Sequence, residues 1–394
     1  AVFRDAGYQL ERSFDGSTIH VEFTIDPTDA QRVVRNARER ASEARSVANL
    51  LRPESVAVIG ASTDPRKVGN AVLANVIAGG FTGPVFPVNA DRRSVMGIRA
   101  YPTVRDIPDP VDLAIVAVPA GVVDEVLDDC LAKGVKSMVV VSAGFSEIGS
   151  DGSESENRLV ESVRSHGMRL VGPNALGVAN NEIGVRLNAT LAPRIPGRGA
   201  VGFFCQSGAL GIAILDEAAR RRLGLSSFVS AGNRADLSGN DMLQYWDSDA
   251  DTEVVLLYLE SYGNPRKFSR LARHVARSKP VLVVSNDLGE DDELLRQFGV
   301  IPCSGISELF DCATVLAYQP LPAGPRVRII TNSLVLGEMA AAAGARDGLE
   351  VDGIVDLEPG AAPAEFEAAV IAATADASVD AIMAVFVPPV AVTA

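Results

Sequence analysis

Short apolar runs alternate with amphipathic stretches over most of the chain. Val56–Ile59, Val85–Val88, Leu113–Val118, Ser137–Ser142 and Arg169-Leu170-Val171 read as strands. Asn70–Ala78 and Val122–Lys133 fall between them with helical spacing. A second set begins at Ala200. Its strands are Val201–Phe204, Ser227–Val229, Val254–Leu259 and Val281–Val284, and its helices Ala209–Arg222, Met242–Trp246 and Pro265–Ser278. A third starts at Arg326, with strand Val327–Ile330, helix Glu338–Ala345 and terminal strand Ala381–Val387. Apolar strands alternating with amphipathic helices predict parallel, doubly wound α/β sheets. Upstream, Tyr8–Phe14 and Ser17–Ile25 flank Asp15-Gly16, a hairpin turn signal. Asp26-Pro27-Thr28 then opens an Arg-rich helix, Asp29–Asn49, which reads as a solvated linker. Pro320, Pro322 and Pro325 mark a second linker. The resulting division is 1–25, 26–50, 51–178, 179–322 and 323–394.

Composition narrows the function classes. The 394 residues carry 36 basic and 50 acidic side chains, a net charge of −14, which disfavours nucleic acid and membrane surfaces as partners. Residues 323–394 contribute half of that excess, with 3 basic and 10 acidic side chains. Cys130, Cys205, Cys303 and Cys312 form no C-x-x-C pair, and the histidines are His20, His166 and His274. Neither a metal site nor a disulfide framework is expected, and a cytoplasmic location is. No apolar run is long enough to span a membrane. The chain starts without Met and ends in an apolar strand, so it is read as part of a longer protein.

Candidate chemistry gathers at strand ends. Val58-Ile59-Gly60-Ala61-Ser62 is a strand running into a glycine turn before a helix, with Lys67 and Gly69 following. Such a turn directs backbone N–H groups at an anion. The spacing is not G-x-G-x-x-G, which disfavours NAD. Val118-Pro119-Ala120, Ser142-Ala143-Gly144-Phe145 and Gly172-Pro173-Asn174 lie at further carboxyl ends, where open α/β sheets bind ligands. Cys205-Gln206-Ser207-Gly208-Ala209 repeats the strand-to-helix pattern, and Ser207 could help hold a phosphate or carboxylate. A Ser207 nucleophile needs a His base that the local sequence lacks. Cys205 reads as a buried small residue rather than a reactive thiol. Ala231-Gly232-Asn233-Arg234-Ala235-Asp236 and Glu260 are two more polar strand ends. His274 is read as solvent-facing and His166 as a helix C-terminal residue.

In this order, these motifs closely resemble the NDP-forming acyl-CoA synthetases, relatives of the succinyl-CoA synthetase α subunit. The Gly172–Gly177, Cys205–Leu210, Gly232–Asp236 and Leu257–Glu260 stretches carry the match, with the Gly60 and Ser142 turns before them. The resemblance implies a CoA-binding Rossmann domain at 51–178, a flavodoxin-like domain at 179–322 and a partial ligase-associated domain at 323–394. It implies a CoA or acetyl-CoA site at Gly60, Ala61, Ser62, Lys67, Gly69, Asn89, Pro119, Ser142, Ala143, Gly144, Phe145, Asn174, Gln206, Ser207 and Gly208. Glu260 corresponds to the carboxylate that orients the family's phosphohistidine. The histidine itself belongs to a Ser-His-Thr-Gly-like loop after the strand matched by Val281–Val284. Here Ser285-Asn286-Asp287-Leu288-Gly289-Glu290 follows instead, and Asn332-Ser333-Leu334-Val335-Leu336-Gly337 replaces a Gly-Gly-Pro-Gly stretch.

The hairpin at 1–25 resembles the last elements of a Gcn5-related acetyltransferase domain. Combined with the missing histidine loop, it suggests the CoA-sensing, non-catalytic region of a Pat-type bacterial protein lysine acetyltransferase. That reading implies a covalently linked acetyltransferase domain, its protein substrates as partners, and a possible homo-oligomer. The alternative is an active ADP-forming acetate–CoA ligase α subunit or domain. A ligand-free assembly scaffold is a third reading.

Overall fold

The computed structural model describes residues 10–15, 18–23, 29–285 and 292–388. The chain forms two compact units that divide after Tyr318. Strands β1 (Leu10–Asp15) and β2 (Thr18–Phe23) pair antiparallel, Leu10 opposite Phe23 and Asp15 opposite Thr18. The hairpin is therefore present, while Ala1–Gly7 and the 16–17 turn lie outside the described residues.

Helix α1 (Asp29–Leu51) departs from the solvated-linker expectation. Val33 is 66% exposed, but Val47, Leu50 and Leu51 are completely buried. These three stand at i, i+3 and i+4, one face of the last turns. The Arg-rich first half hides that short apolar face in the sequence. Arg52, just beyond, pairs with Glu182 at 2.6 Å and Asp249 at 2.9 Å.

The first sheet follows, with β3 (Val56–Ile59), α2 (Val68–Ala78), β4 (Val85–Val88), the small β5 (Ser94–Val95) and β6 (Ile98–Arg99) hairpin, β7 (Leu113–Val116), α3 (Val123–Lys133), β8 (Ser137–Val140), α4 (Ser150–Ser165) and β9 (Arg169–Val171). Its order is β4-β3-β7-β8-β9, all parallel. Every residue of β3, β7 and β8 is buried, as expected of strands covered on both faces.

The second sheet contains β10 (Gly177–Asn180), β11 (Leu187–Thr190), β12 (Arg198–Cys205), α5 (Gly208–Arg220), β13 (Leu225–Ser230), α6 (Gly239–Ser248), β14 (Val254–Leu259), α7 (Pro265–Val275), β15 (Val281–Ser285), α8 (Asp292–Gln297), β16 (Ile301–Pro302) and α9 (Ile306–Tyr318). The order is β11-β10-β13-β12-β14-β15-β16. The parallel strands run 2-1-3-4-5 in both sheets, the flavodoxin-like order, and the expected α/β class holds. Each sheet therefore has a switch point beside its first strand, at the carboxyl ends of β3 and β7 and of β12 and β14.

The unit from Gln319 has β17 (Arg326–Thr331), α10 (Leu334–Arg346), β18 (Glu350–Asp356), α11 (Pro363–Thr374) and β19 (Ala381–Val385). Its three strands are parallel in the order β18-β17-β19. No described helix is long and apolar enough to cross a membrane.

Candidate functional site

The β3 turn is built by close backbone approach. Gly60 has φ +85°, and a Cβ there would lie 2.4 Å from the Ala117 carbonyl oxygen. A Cβ on Gly69 would lie 2.0 Å from the Gly60 oxygen, so α2 starts directly against the turn. The N–H groups of Gly60 and Ala61 do not face a ligand, because both donate to the Val88 carbonyl, at 3.1 and 3.2 Å. The anion seat lies one step further on. Helix α2 starts at Val68 with no side chain capping its first turn, and exposed Lys67 precedes it. Ser62 Oγ accepts from Asp64 N–H, which leaves its own hydroxyl proton to donate.

Beside this turn is a cavity of about 320 Å³ at the ends of β3, β4 and β7. Ile59, Val88, Val104, Val118, Val122 and Val126 give it apolar walls, Gly60 and Asn89 line it too, and Asp91, Glu125 and Asp129 also line it. The Asn89 side chain is already engaged. Its Nδ2 donates to the Ala61 carbonyl at 2.7 Å, and its Oδ1 accepts from Asp91 and Arg92 N–H. Asn89 thus shapes the rim.

A second cavity, of about 470 Å³, lies at the ends of β12, β13 and β14. Asn174, Gln206, Ser207, Gly208 and Glu260 line it, together with Gly232, Asn233, Arg234 and Ser261. Ser207 caps α5, its Oγ accepting from Leu210 N–H at 3.4 Å. The first N–H groups of a helix have no internal acceptor, so this end attracts an anion. Gln206 acts as a clamp. Its Oε1 accepts from Glu260 and Ser261 N–H at 2.6 and 3.0 Å, and its Nε2 donates to the Ser261 carbonyl at 2.9 Å. Gln206→Leu strands both N–H groups and is expected to destabilise the loop by about 1–3 kcal/mol. Faster amide exchange at Ser261 would show it, and unchanged exchange would contradict the clamp.

The two cavities are joined by contacts between the sheets. Pro119 precedes a short 3-10 turn at the end of β7. Ser142 Oγ donates to the Val118 carbonyl, and Asn174 N–H donates to the Ser142 carbonyl at 2.9 Å. Gly144, at φ +110° beside exposed Ala143, donates its N–H to Glu147. Asn233 Nδ2 donates to Glu147 at 2.6 Å and to Glu156 at 2.8 Å. Burial raises the Glu147 pKa, but donation from Asn233 and from the Gly144 and Phe145 N–H groups outweighs this and holds it below the ordinary value. In the sequence, Asn233 and Arg234 form a polar strand end with no partner in view. Their partners lie far away in sequence, and no local signal pairs them.

The Phe145 side chain lines neither cavity. It is 2% exposed and packs in the core of the first sheet. Burial pushes the Cys205 thiol up to about 12, which agrees with its reading as an unreactive buried residue. His274 pairs with Asp247 at 3.2 Å, and His166 bonds the Ser162 carbonyl at 2.8 Å at the end of α4. The Asn286–Glu290 segment lies outside the described residues.

Comparisons with known proteins decide between the readings. Residues 54–181 match the CoA binding domain family, and residues 198–291 match the succinyl-CoA ligase like flavodoxin domain. The α subunit of ADP-forming acetate–CoA ligase I from Pyrococcus furiosus is 37% identical over 337 residues, 79% of this chain and 72% of that one. This chain belongs to the NDP-forming acyl-CoA ligases, on the α-subunit side. ADP-forming acetate–CoA ligase I of Archaeoglobus fulgidus is 40% identical over 74% of this chain, which spans only 44% of that longer ligase. The dinucleotide-forming acetyl-coenzyme A synthetase 1 of Ca. Korarchaeum cryptofilum, solved with phosphate and ADP, superposes with a TM-score of 0.82. It is 32% identical, with 86% of this chain and 82% of that chain covered.

The acetyltransferase-regulator expectation is overturned. Four relatives matched over 71–79% of this chain are ADP-forming acetate–CoA ligases or their α subunits, and they favour the alternative reading. Two features had carried the discarded idea, a two-strand hairpin and a missing loop. An isolated hairpin is too generic a motif to identify a domain.

Proposed function

We propose that this ligase chain binds CoA and carries the acyl-transfer half of an ADP-forming acyl-CoA ligase reaction. The nucleotide end of CoA occupies the apolar cavity at β3, β4 and β7. Its phosphates meet the open first turn of α2, with Ser62 and Lys67. The pantetheine arm passes Pro119, Ser142, Ala143, Gly144 and Asn174 and reaches the cavity at Gln206–Gly208. There the N-terminus of α5 and the Arg234 guanidinium hold the phosphate of an acyl phosphate. The CoA thiolate attacks the acyl carbon, the carbon–oxygen bond to phosphate breaks, and phosphate leaves with the electron pair. The helix terminus stabilises the charge on that leaving group.

The observation that carries this reading is the second cavity, which sets a capped helix start, Arg234 and Glu260 at three adjacent strand ends. Among the described residues no histidine lines it, and the proposal for this chain is confined to acyl transfer, without phosphoryl relay to ADP. The relatives' names make acetate the first acid to test. Calorimetric titration with CoA checks the first half of the account. Lys67→Ala is expected to weaken binding about tenfold, the loss of one charge-assisted phosphate contact. Equal affinity in wild type and variant would remove Lys67 from the site.

A further inference from the structure

The structure assigns a further anion site, separate from both strand-end cavities, between helices α1 and α7. It is a cavity of about 350 Å³ whose lining includes Arg40 from α1 and Arg270, Arg273, His274 and Arg277 from α7 and its end. We propose that it binds a small molecule with two or more adjacent phosphate groups. The argument does not depend on the ligase reading.

Arg266, Arg270 and Arg273 are spaced i, i+4 and i+7, a single stripe along α7, and Arg277 follows in the turn that ends it. Phe268, Leu271, Ala272 and Val275 on the same helix are buried. Helix α7 contains no acidic residue. A plain solvated face would account for the stripe alone, and the helix C-terminus favours cations in its last turn. Arg40 reaches the same cavity from the Arg-rich part of a different helix, so arginines from two elements converge there in a chain of net charge −14.

Nearby carboxylates leave this charge largely unmatched. Glu39 reaches Arg270 at 3.5 Å and is shared with Lys267 at 3.3 Å. Asp247 is spent on His274. Arg273 lies over the Phe298 ring, 5.0 Å from its centre. Among the described residues, Arg40 and Arg277 make no ion pair. Guanidinium groups are donor-only and match phosphate oxygens two at a time. Several around one cavity fit a diphosphate better than a single carboxylate. A nucleoside diphosphate and inorganic pyrophosphate share that chemistry.

The test is calorimetric titration of the ligase chain with inorganic pyrophosphate, and in a second arm with ADP, at fixed ionic strength. Saturable binding is expected, weakened about tenfold or more in Arg40→Ala/Arg277→Ala and retained in Lys67→Ala. Thermal melting of the double variant should match that of the wild type, which reports that it is folded. Arg40→Lys/Arg277→Lys should retain part of the affinity, since the charge stays and the planar fork goes. Tighter binding of ADP than of pyrophosphate would make the ligand a nucleotide, and the reverse an inorganic polyphosphate. No saturable binding in either arm, equal binding by the double alanine variant, or binding lost in Lys67→Ala instead, would overturn the proposal. So would displacement of pyrophosphate by an acidic peptide at lower concentration.

Discussion

Replacing Asp236 by Ala is expected to destabilise the larger unit by about 3–5 kcal/mol, the range for breaking a buried ion pair from one side. The Asp236 side chain is 6% exposed and pairs with Arg169, itself 14% exposed, at 2.9 Å. It also takes Arg164 at 3.0 Å and the N–H of Leu170. Removing the carboxylate leaves the Arg169 guanidinium with only Glu43, Ser46 and a longer approach to Asp241. It also removes the carboxylate bond to Leu170 N–H, leaving the 235–237 segment tied to the β9 edge only by the Ala235 and Leu237 N–H groups, which donate to Gly172 and Leu170. The effect should therefore reach Asn233 and Arg234 and weaken phosphate binding as well as stability. Urea titration of wild type and variant gives the first number.

The same pair predicts a pH dependence. Burial raises the Asp236 carboxyl, but Arg169 and the donated hydrogen bonds outweigh this and hold it below its ordinary value. A carboxyl depressed on folding stabilises fully above its unfolded value of about 3.9. That stabilisation is lost as pH falls through the lower folded value. Acid unfolding of the wild type should thus be steeper below about pH 4 than that of Asp236→Asn. Parallel curves would show that Asp236 is not a significant part of the acid response.

The second large effect is expected at Gly69. The Gly69→Ala methyl would sit 2.0 Å from the Gly60 oxygen and 2.7 Å from its carbonyl carbon. Both are backbone atoms of the turn and cannot rotate away. Helix α2 must then move off β3, at a cost of about 1–3 kcal/mol for overpacking. The open helix turn and Lys67 move with it, so CoA affinity should fall by more than in Lys67→Ala. Gly97→Ala is a useful control for the stability part, because a Cβ there meets nothing within 4 Å, although its φ of +78° brings its own strain. CoA titration of both variants separates the effects, since only the Gly69 change should alter affinity. A Gly69→Ala protein with wild-type affinity would show that the α2 terminus is not the phosphate seat.

Much of this organisation was legible in the sequence because parallel strands covered on both faces are plain apolar runs, as in Val56–Ile59 or Val254–Leu259. β10 and β11 were missed for the opposite reason. Their buried Asn180, Asn188 and Thr190 resemble loop residues locally. They are tolerated because Asn180 Nδ2 donates to the Leu51 carbonyl and Thr190 Oγ1 to Asn188 Oδ1. The docking face of helix α1 is hidden in the sequence because its arginines outnumber the three apolar residues that dock it. The resemblance puts Phe145 at the site with the rest of its loop, and the φ of +110° at Gly144 turns the chain so that the Phe145 side chain packs in the core. The Asn233 link to Glu147 and Glu156 spans more than 70 residues, beyond what periodicity and turn chemistry report.

The central claim is that this chain performs acyl transfer between phosphate and CoA. It is tested most directly by incubating the chain with acetyl phosphate and CoA and measuring acetyl-CoA and released phosphate together. The account predicts that the two products form in equal amounts, saturate with CoA, and fall together in the Lys67→Ala and Arg234→Ala variants. Bound CoA with no acetyl-CoA formed above the uncatalysed rate would contradict it.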